Sequence, residues 1–589
     1  MKIGFVPLDD RPCTRDFAAA VARIAGEDLM MPPAPLLGHF LTPGSPEGII
    51  DWLKEVGPEL DVLVASIDML AYGGLIASRS PEPEHSVARE RVAALSRIKN
   101  TRPDMRILAF NVLMRISITC SDAASARHWD MVHRLSILED RASLGLCSPT
   151  ELAEKDRLLT AVPAEVLGRY KRARTRNHAV NLFCLDLVSA GVIDFLSFCQ
   201  EDAHLFGPHR AEQGDLRGRV RALGLAPDRV TIYAGTDEAG MLLVARAINE
   251  RLGLVPRFRF LYTPPGGGRN VAVFEDRPVE ENIRLQVSVA RGEVAPPCEP
   301  LRELDCFCLV NCPRSSGPED WGDDPATAAT ATGAQPGPMP DGHDGTMKTG
   351  PGGRPRIADC PPLPDGGLPP ADVASNPLGQ LQDAIHAGVP AGVLDIARPN
   401  GADPAFMADL LHQVDVARLA AYAAWNTAGN SAGTVVATLA ATHAALKSGA
   451  LKPSDSGTSG YGDPGASAGS LDVLCQFLFE RFVDDWLYQS VVRSEVNSHF
   501  ASVPGVNLHN LQKLRHYEEV DNMVRERLGG LARDFYAQFF SGRPATALSG
   551  QGQAGDAHSA ARWPEASRVK IEMRLPWERT FEVQVRVSW

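Results

Sequence analysis

The first 260 residues alternate short, continuously apolar runs with longer amphipathic stretches, and this alternation constrains the fold more than any other feature. The strand-like runs are 3–8, 29–31, 62–67, 107–112, 195–198 and 230–234, and four more follow at 258–262, 306–310, 393–396 and 419–423. Strands that alternate with helices indicate βαβ units, and continuously apolar strands indicate a parallel sheet with helices on both faces. The pattern predicts an α/β fold, and an open sheet or a barrel would both fit it.

We expect residues 1–445 to form a TIM-like (β/α) barrel that serves as the catalytic domain. A stretch rich in Gly and Pro at 313–377 is too poor in apolar residues to fold and is predicted to be a disordered insertion. Residues 446–470 and 544–565 have the same character and are predicted to be linkers. Helical spacing of apolar residues predicts a helical region at 471–543, and alternation predicts a small β segment at 566–589.

Composition excludes several classes of function. The chain has 59 Lys and Arg against 72 Asp and Glu, a net charge of −13, which argues against binding to nucleic acid or to an anionic membrane. The sequence has no run of about 18 apolar residues, so it predicts no membrane span. The first residues lack the apolar core of a signal peptide. Eleven cysteines, an odd number spread thinly, do not indicate a disulfide framework. We therefore expect a cytoplasmic protein.

Polar side chains concentrate where the predicted strands end. They are Asp9, Asp10 and Arg11 after the first strand, Asp68 after the third, Asn111 near the end of the fourth, Glu201 and Asp202 after the fifth, and Asp237 and Glu238 after the sixth. Active sites of parallel α/β folds lie at that end of the sheet, whereas random surface charge would occur at both ends. The one-sided placement predicts a functional site.

The adjacent acids Asp237 and Glu238 stand at a strand-to-helix turn. Two such carboxylates serve as general acid and base if burial separates their pKa values, although acidic residues are also common helix caps. Glu201 and Asp202 repeat the arrangement one strand earlier, and two such pairs are harder to explain by capping alone. Arg11 lies beside acids, where its planar fork could hold sugar hydroxyls, a carboxylate or a phosphate, or could form a structural ion pair.

A compact aromatic and amide cluster follows the last strand-like run, and it comprises Tyr422, Trp425, Asn426, Thr427 and Asn430. An aromatic ring stacks on a sugar ring, and amides hydrogen-bond its hydroxyls. Alternatively, Trp425 belongs to the core, and Asn426 and Asn430 cap the next helix. Asn400 and Asp403 lie in a loop that is similarly ambiguous.

Metal and cofactor signals are poor. Cys306, Cys308 and Cys312 lack the paired spacing of a zinc site, and the chain has no HExxH, EF-hand or phosphate-loop motif. We expect no metal ion and no organic cofactor.

Several segments resemble the bacterial family catalogued as domain of unknown function 4127. They are 7–12 (PLDDRP), 72–79 (YGGLIASR), 200–203 (QEDA), 425–430 (WNTAGN) and 575–582 (LPWERTFE). The resemblance runs from the first residues to the last, apart from the insertions rich in Gly and Pro, and the family name carries little function.

A second, local resemblance is to retaining β-N-acetylhexosaminidases. The segment 235–238 (GTDE) is similar to their Gly-Gly-Asp-Glu, and 8–11 (LDDR) is similar to the Leu-Asp-x-x-Arg of their first barrel strand, whose Arg binds sugar hydroxyls. The resemblance implies that Asp237 orients the substrate's own acetamido group as nucleophile and that Glu238 is the general acid and base.

The sequence thus predicts a glycosidase for a small carbohydrate, most specifically a retaining exo-β-N-acetylhexosaminidase acting on N-acetylgalactosamine or N-acetylglucosamine. The expected substrate-binding residues are Asp9, Asp10, Arg11, Asp68, Arg79, Asn111, Asn400, Asp403, Tyr422, Trp425 and Asn426. A different catalytic pair would join Glu201 or Asp202 to Glu238.

Two other classes of function remain open. One is a metal-dependent hydrolase that binds Mg²⁺ or Mn²⁺ through Asp9, Asp10, Asp202, His204 and Asp237. The other is a carbohydrate-binding protein without catalysis, because a fold does not imply a function.

Overall fold

The computed structural model describes residues 1–120, 123–297, 299–314, 376–453, 469–503, 506–511, 516–545 and 561–589. Most of the predicted insertion at 313–377 lies outside the described residues, as does much of the two predicted linkers at 446–470 and 544–565.

Six parallel strands form the first sheet, in the order β2-β1-β3-β4-β5-β6. Their bounds are β1 Ile3–Val6, β2 Leu29–Met30, β3 Val62–Ser66, β4 Arg106–Leu113, β5 Phe195–Gln200 and β6 Val230–Ala234. The helices of this half are Asp16–Ile24, Pro46–Val56, Ile67–Tyr72, Leu75–Ser78, His85–Thr101, Ala123–Ser143, Pro149–Ala161, Ala164–Ser189, His209–Ala222 and Ala239–Leu252. Strands β1, β3 and β5 are buried along their whole length, as expected when helices cover both faces of a sheet.

Five parallel strands form a second sheet, in the order β11-β10-β9-β7-β8. Their bounds are β7 Arg257–Thr263, β8 Glu293–Val294, β9 Cys306–Asn311, β10 Ala391–Asp395 and β11 Ala421–Ala423. The helices of this half are Val279–Val289, Pro377–His386, Pro404–Gln413 and Ala428–Ser448. The predicted α/β class is therefore confirmed.

The TIM-like barrel is wrong for the described strands, because they form two open sheets. Strand β6 ends the first sheet, and side chains from the region of the helix Val279–Val289 occupy its outer edge. Asn282 accepts a hydrogen bond from the Ala234 backbone N–H at 2.8 Å and donates one to the Ala234 carbonyl at 2.7 Å. Arg277 donates to the Ile232 carbonyl at 2.8 Å. Since side chains satisfy these edge groups, β7 pairs elsewhere and begins a second sheet.

The C-terminal part is helical and ends in a small antiparallel sheet, as the sequence predicts. Its helices are Ser470–Arg481, Arg493–Ala501 and Tyr517–Phe539, with a π-helical segment at Phe482–Val492, and its strands are β12 Lys570–Arg574 and β13 Gln584–Ser588. Phe477 packs edge-on against Phe17 at 5.1 Å between ring centroids, so these helices share a core with the N-terminal half.

No helix within the described ranges has the length and hydropathy needed to span a bilayer. The nine cysteines in the same ranges are all free thiols.

Candidate functional site

The carboxyl ends of the two sheets meet at the loop 235–238, which follows β6. Asn426, after β11, donates its Nδ2–H to Oδ2 of Asp237 at 2.8 Å. Oδ1 of Asn430 accepts from the backbone N–H groups of Thr236 at 2.8 Å and Asp237 at 3.0 Å. Two clusters whose contacting residues are 189 to 194 positions apart in the sequence therefore form one site. It lies at the end of the sheets where open α/β folds bind ligands.

Gly429, near the start of the helix Ala428–Ser448, allows this helix to lie close to the end of β6. A Cβ atom there would overlap the Ala234 carbonyl, with its carbon 2.7 Å away. The neighbouring helix Ala428–Ser448 is capped by Thr427, whose Oγ1 accepts from the Asn430 backbone N–H at 3.4 Å. Asn426 and the Asn430 side chain are thus engaged with the Asp237 loop instead of capping the helix.

Arg11 lies buried between two carboxylates. Its Nη2 donates to Oδ1 of Asp237 at 2.7 Å and to Oδ2 of Asp9 at 2.8 Å, and its Nη1 donates to Oδ2 of Asp237 at 3.2 Å. Burial alone would lower the pKa of Arg11, but Asp237 and Asp9 outweigh it and raise that pKa. The Arg11 guanidinium therefore stays charged and holds the loops after β1 and β6 together.

Glu238 occupies the N-cap position of the helix Ala239–Leu252, yet its side chain does not cap that helix. Its Oε2 accepts from the Thr236 backbone N–H at 2.8 Å, and its Oε1 accepts from Nε2 of Gln286 at 3.3 Å. The residue is 1% exposed, and burial, with the added charge of Asp237, raises the pKa of Glu238 well above its usual range. The protonated form of Glu238 is therefore favoured beside an ion-paired Asp237.

Asp237 and Glu238 line the same small pocket. The lining residues are Cys13, Phe17, Asp237, Glu238, Ala423, Trp425, Asn430, Ser431, Thr434, Arg481 and Asp485. Trp425 is buried against Phe581, with 5.6 Å between ring centroids. Its indole Nε1–H has no hydrogen-bond partner in the described part of the chain, so a polar donor is left available at this pocket.

Sequence reasoning missed Arg481 and Asp485, which reach the pocket from the π-helical segment Phe482–Val492 and the residue before it. Asp485 accepts from the Ala424 backbone N–H at 2.8 Å, and burial raises the pKa of its carboxyl. A π-helix is rare and often marks a functional site. The sequence feature that could have indicated Arg481 and Asp485 is the presence of charged residues within an otherwise apolar helical run.

Glu201 and Asp202 form a second cluster with two arginines. Arg79 pairs with Oε1 of Glu201, and Arg115 lies 3.8 Å from the same oxygen. Arg115 also pairs with Asp202. Although burial raises the pKa of Glu201, Arg79 and Arg115 outweigh it and lower that pKa, so Glu201 is ionised.

Three predicted binding residues are buried in the core and are not among the residues that line the pocket. Asp68 accepts from the Val112 backbone N–H at 2.8 Å, and burial raises its pKa to about 7. Asn111 donates to Oδ1 of Asn181. Tyr422 stacks on Phe482 with 4.2 Å between ring centroids. All three side chains contact neighbouring strands and helices, so these contacts give them a structural role.

The loop after β10 lies next to Asn426. Asn400 adopts a left-handed backbone with φ of 59°, and its N–H donates to the Asn426 carbonyl at 3.0 Å. Asp403 caps the helix Pro404–Gln413 and donates its own N–H to Oδ2 of Asp395 at 2.7 Å. Asn400 therefore supports the site, and Asp403 shapes the loop.

The C-terminal segment 575–582 packs against Arg11, which the sequence did not predict. Nε1 of Trp577 donates to Oδ1 of Asp10 at 2.7 Å, and His39 Nδ1 lies 2.7 Å from Oδ2 of the same carboxylate. The Trp577 ring centroid lies 4.9 Å from Cζ of Arg11 and 4.6 Å from Cζ of Arg579. Asp10 thus engages the C-terminal segment.

The five residues of the metal-site alternative are not assembled. Among the residues that the structure describes, no group of three or more His, Cys, Asp or Glu side chains is placed to hold a metal ion. Arg11 stands between Asp9 and Asp237, and Nδ1 of His204 accepts from the Phe206 backbone N–H at 3.0 Å.

Comparison with known proteins gives one match. No curated protein and no solved structure matches the chain significantly, so neither supports a likeness to hexosaminidases. The family model described as "Protein of unknown function (DUF4127)" matches residues 3–586. With nearly its whole length matched, the chain belongs to the DUF4127 family.

Proposed function

We propose that the protein is a glycoside hydrolase acting on a small carbohydrate, most specifically a retaining exo-β-N-acetylhexosaminidase. The observation that carries this proposal is the pair Asp237 and Glu238, two consecutive carboxyl groups in opposite electrostatic environments at one pocket. Burial raises the pKa of Glu238, whereas Arg11 places a counter-charge beside Asp237, and this difference in environment assigns Glu238 as the acid and Asp237 as its charged neighbour. That division of roles is what substrate-assisted glycoside hydrolysis requires.

In this mechanism Glu238 donates its proton to the leaving glycosidic oxygen. Asp237, held by Arg11 and Asn426, orients the acetamido group of the substrate, which attacks the anomeric carbon as nucleophile. Each carboxylate oxygen accepts more than one hydrogen bond, so the existing bonds to Asp237 leave acceptor capacity for the acetamido N–H. The deprotonated Glu238 then takes a proton from the water that opens the intermediate.

Other residues at the site have supporting roles. The indole N–H of Trp425 is a donor for a sugar hydroxyl, and the amide of Asn426 holds Asp237. Arg11 is a positioning residue, because it acts through Asp237. The other catalytic pair, Glu201 with Glu238, also combines an ionised and a protonated carboxyl group. Glu201→Gln separates the two assignments, since it should abolish turnover only if Glu201 is the nucleophile.

A panel of chromogenic β-glycosides tests the proposal. Purified full-length protein would be assayed on N-acetylglucosamine, N-acetylgalactosamine, glucose and galactose derivatives, with and without a chelator. We expect release from the N-acetylated sugars alone, unchanged by the chelator. Chelator-sensitive release would indicate a metal-dependent hydrolase instead, and sugar binding without any release would indicate a non-catalytic binding protein.

Matched variants locate the chemistry. Asp237→Asn and Glu238→Gln should each lower kcat/KM by at least about 100-fold, a usual contribution of acid–base catalysis. Glu275→Gln is the control. Burial raises the pKa of Glu275 to about 8, and its Oε1 accepts from the Gly429 backbone N–H at 2.7 Å, but it does not line the pocket. Equal losses in all three variants would contradict the assignment.

A further inference from the structure

We infer that Asp10, His39 and Glu578 form a pH-dependent clasp, in which protonated His39 fastens the C-terminal segment 575–582 to the loop after β1. These three residues are called the His39 clasp below. The inference goes beyond the proposed function, because it concerns how the segment is held whatever the substrate is, and it can be measured without turnover.

The imidazole of His39 lies between two carboxylates from opposite ends of the chain. Its Nδ1 lies 2.7 Å from Oδ2 of Asp10, and its Nε2 lies 3.3 Å from Oε2 of Glu578. A neutral imidazole has one N–H and one lone pair, so it can donate to only one carboxylate and turns its lone pair toward the other. The imidazolium has two N–H groups and can serve both carboxylates. The His39 clasp is therefore complete only when His39 is charged.

The turn that carries His39 packs against the C-terminal segment. The His39 backbone N–H donates to the Thr42 carbonyl at 2.9 Å, and the Thr42 N–H donates back to the His39 carbonyl at 2.8 Å. Phe40 is buried, and its ring centroid lies 5.2 Å from that of Trp577. The position of the imidazole therefore does not depend on its charge alone.

The charges that face His39 come from the two segments on either side of it. The turn 37–42 has no other titratable side chain. Partial burial would lower the pKa of His39, but Asp10 and Glu578 outweigh it and raise that pKa. Three arginines stand near the clasp, and each pairs with another carboxylate: Arg11 with Asp9, Arg15 with Asp16, and Arg579 with Glu582.

The direction of this pKa shift sets the sign of the pH dependence. A group whose folded pKa lies above its unfolded value, about 6.5 for histidine, stabilises the folded state fully below the unfolded value. That contribution is lost as pH rises through the folded pKa. The His39 side chain is 44% exposed, so it exchanges protons with solvent. The His39 clasp is therefore closed at acidic pH and loosens as His39 loses its proton.

The clasp holds the segment that packs against Arg11. Trp577, next to Glu578, donates its Nε1–H to the same Asp10 carboxylate at 2.7 Å, and its ring centroid lies 4.9 Å from Cζ of Arg11. Arg11 in turn holds Asp237 at the site. The charge of one half-exposed histidine thus sets how firmly the C-terminal segment packs against the residue that positions Asp237.

A histidine titration tests the charge of the clasp. NMR of the full-length protein, labelled with ¹³C at histidine Cε1, follows each imidazole, and the resonance that is absent from His39→Gln identifies His39. We expect its midpoint to lie above about 6.5 in the wild type and to fall in Glu578→Gln, which removes one of the two negative charges. A wild-type midpoint at or below about 6.5, or one that Glu578→Gln leaves unchanged, would overturn the inference.

Hydrogen exchange tests whether the clasp fastens the segment. The probes are the backbone N–H groups of Arg579 and Thr580, which donate to the carbonyls of Trp577 at 2.7 Å and Leu508 at 3.2 Å. Protection of these groups is corrected for the intrinsic pH dependence of exchange. In the wild type it should fall about two- to fivefold as pH rises through the pKa of His39, the change expected for loss of a partly exposed ion pair.

Matched variants complete the exchange measurement. His39→Gln is uncharged at every pH, so its protection should stay at the level that the wild type reaches at alkaline pH. His178→Gln is the control, because Nε2 of His178 lies 3.3 Å from a single carboxylate, that of Asp215, and joins the helices Ala164–Ser189 and His209–Ala222. It should leave the pH dependence of the segment unchanged. Protection that falls with pH equally in wild type and His39→Gln, or in neither, would overturn the inference.

The inference and the proposed function fail separately. Turnover of N-acetylated glycosides by a protein whose segment exchanges independently of pH would contradict only the His39 clasp. A pH-dependent clasp in a protein that releases no sugar would contradict only the glycosidase.

Discussion

Nη2 of Arg11 lies 2.7 Å from Oδ1 of Asp237, so one buried ion pair joins residues 226 positions apart in the chain. The same guanidinium holds Asp9, and Asn426 adds a bond to Asp237 from the second sheet. The site is therefore built on contacts that also hold the two sheets together.

Replacing Arg11 with Met should destabilise the protein by about 3–5 kcal/mol, because Asp9 and Asp237 would remain buried without their counter-charge. Urea unfolding measures the loss. Arg219→Met is the control, since Arg219 pairs with Asp186 where the side chains are 43% and 45% exposed, and such pairs contribute at most about 1 kcal/mol. Similar small losses in both variants would show that the Arg11 pair is not a structural element.

Gly429→Ala should lower the melting temperature, because the new Cβ would overlap the Ala234 carbonyl and push the two sheets apart. We expect a loss of about 1–3 kcal/mol, typical of overpacking. Gly218→Ala, in the helix His209–Ala222, meets nothing within 4 Å and should stabilise by about 0.5–1 kcal/mol. A melting temperature for Gly429→Ala at or above the wild-type value would mean that the sheets do not meet there.

Burial raises the pKa of Asp395 to about 7, against about 3.9 when unfolded. Between these two values the folded state holds a proton that the unfolded state has released, so the free energy of unfolding falls as pH rises. For this one group the slope reaches at most about 1.4 kcal/mol per pH unit. Asp395→Asn should flatten the decline between about pH 4 and pH 7, measured by urea unfolding, whereas exposed Asp186→Asn should not. Parallel curves for wild type and Asp395→Asn would contradict the shift.

Trp577→Phe keeps an aromatic ring beside Arg11 but removes the indole donor to Asp10. The loss of that bond should cost about 1–3 kcal/mol of stability. Trp563→Phe removes a comparable bond, from Nε1 to the Ala417 carbonyl at 2.9 Å, and neither residue lines the pocket. We expect both variants to unfold at lower urea, and only Trp577→Phe to lower kcat/KM. A kcat/KM unchanged in Trp577→Phe would remove the C-terminal segment from the site.

Local patterns predicted the strands well, because a strand buried on both faces is a continuous apolar run wherever it lies. Strand β9, for example, was predicted at 306–310 and is observed, buried throughout, at Cys306–Asn311. The same patterns could not separate a barrel from two open sheets. That choice depends on Asn282 and Arg277, whose side chains occupy the β6 edge from far along the sequence.

Part of the site was predictable for the same reason. Asp237 and Asn426 follow strands directly, and parallel strands place their carboxyl ends together. Asp485 and Trp577 reach the site only through the packing of the C-terminal part, so no local pattern indicated them. The raised pKa of Glu238 depends on burial, which the sequence around it does not reveal.

The most direct test of the proposed chemistry is the pH profile of kcat/KM on a chromogenic N-acetylglucosaminide, compared among the wild type, Glu238→Gln and Glu275→Gln. We expect the wild type to keep its activity through neutral pH and to lose it on an alkaline limb, where Glu238 deprotonates, because the pKa of Glu238 is raised. Glu275→Gln should keep that limb, and Glu238→Gln should be inactive at every pH. Wild-type activity that persists in Glu238→Gln with the same alkaline limb would contradict the assignment of Glu238 as the proton donor.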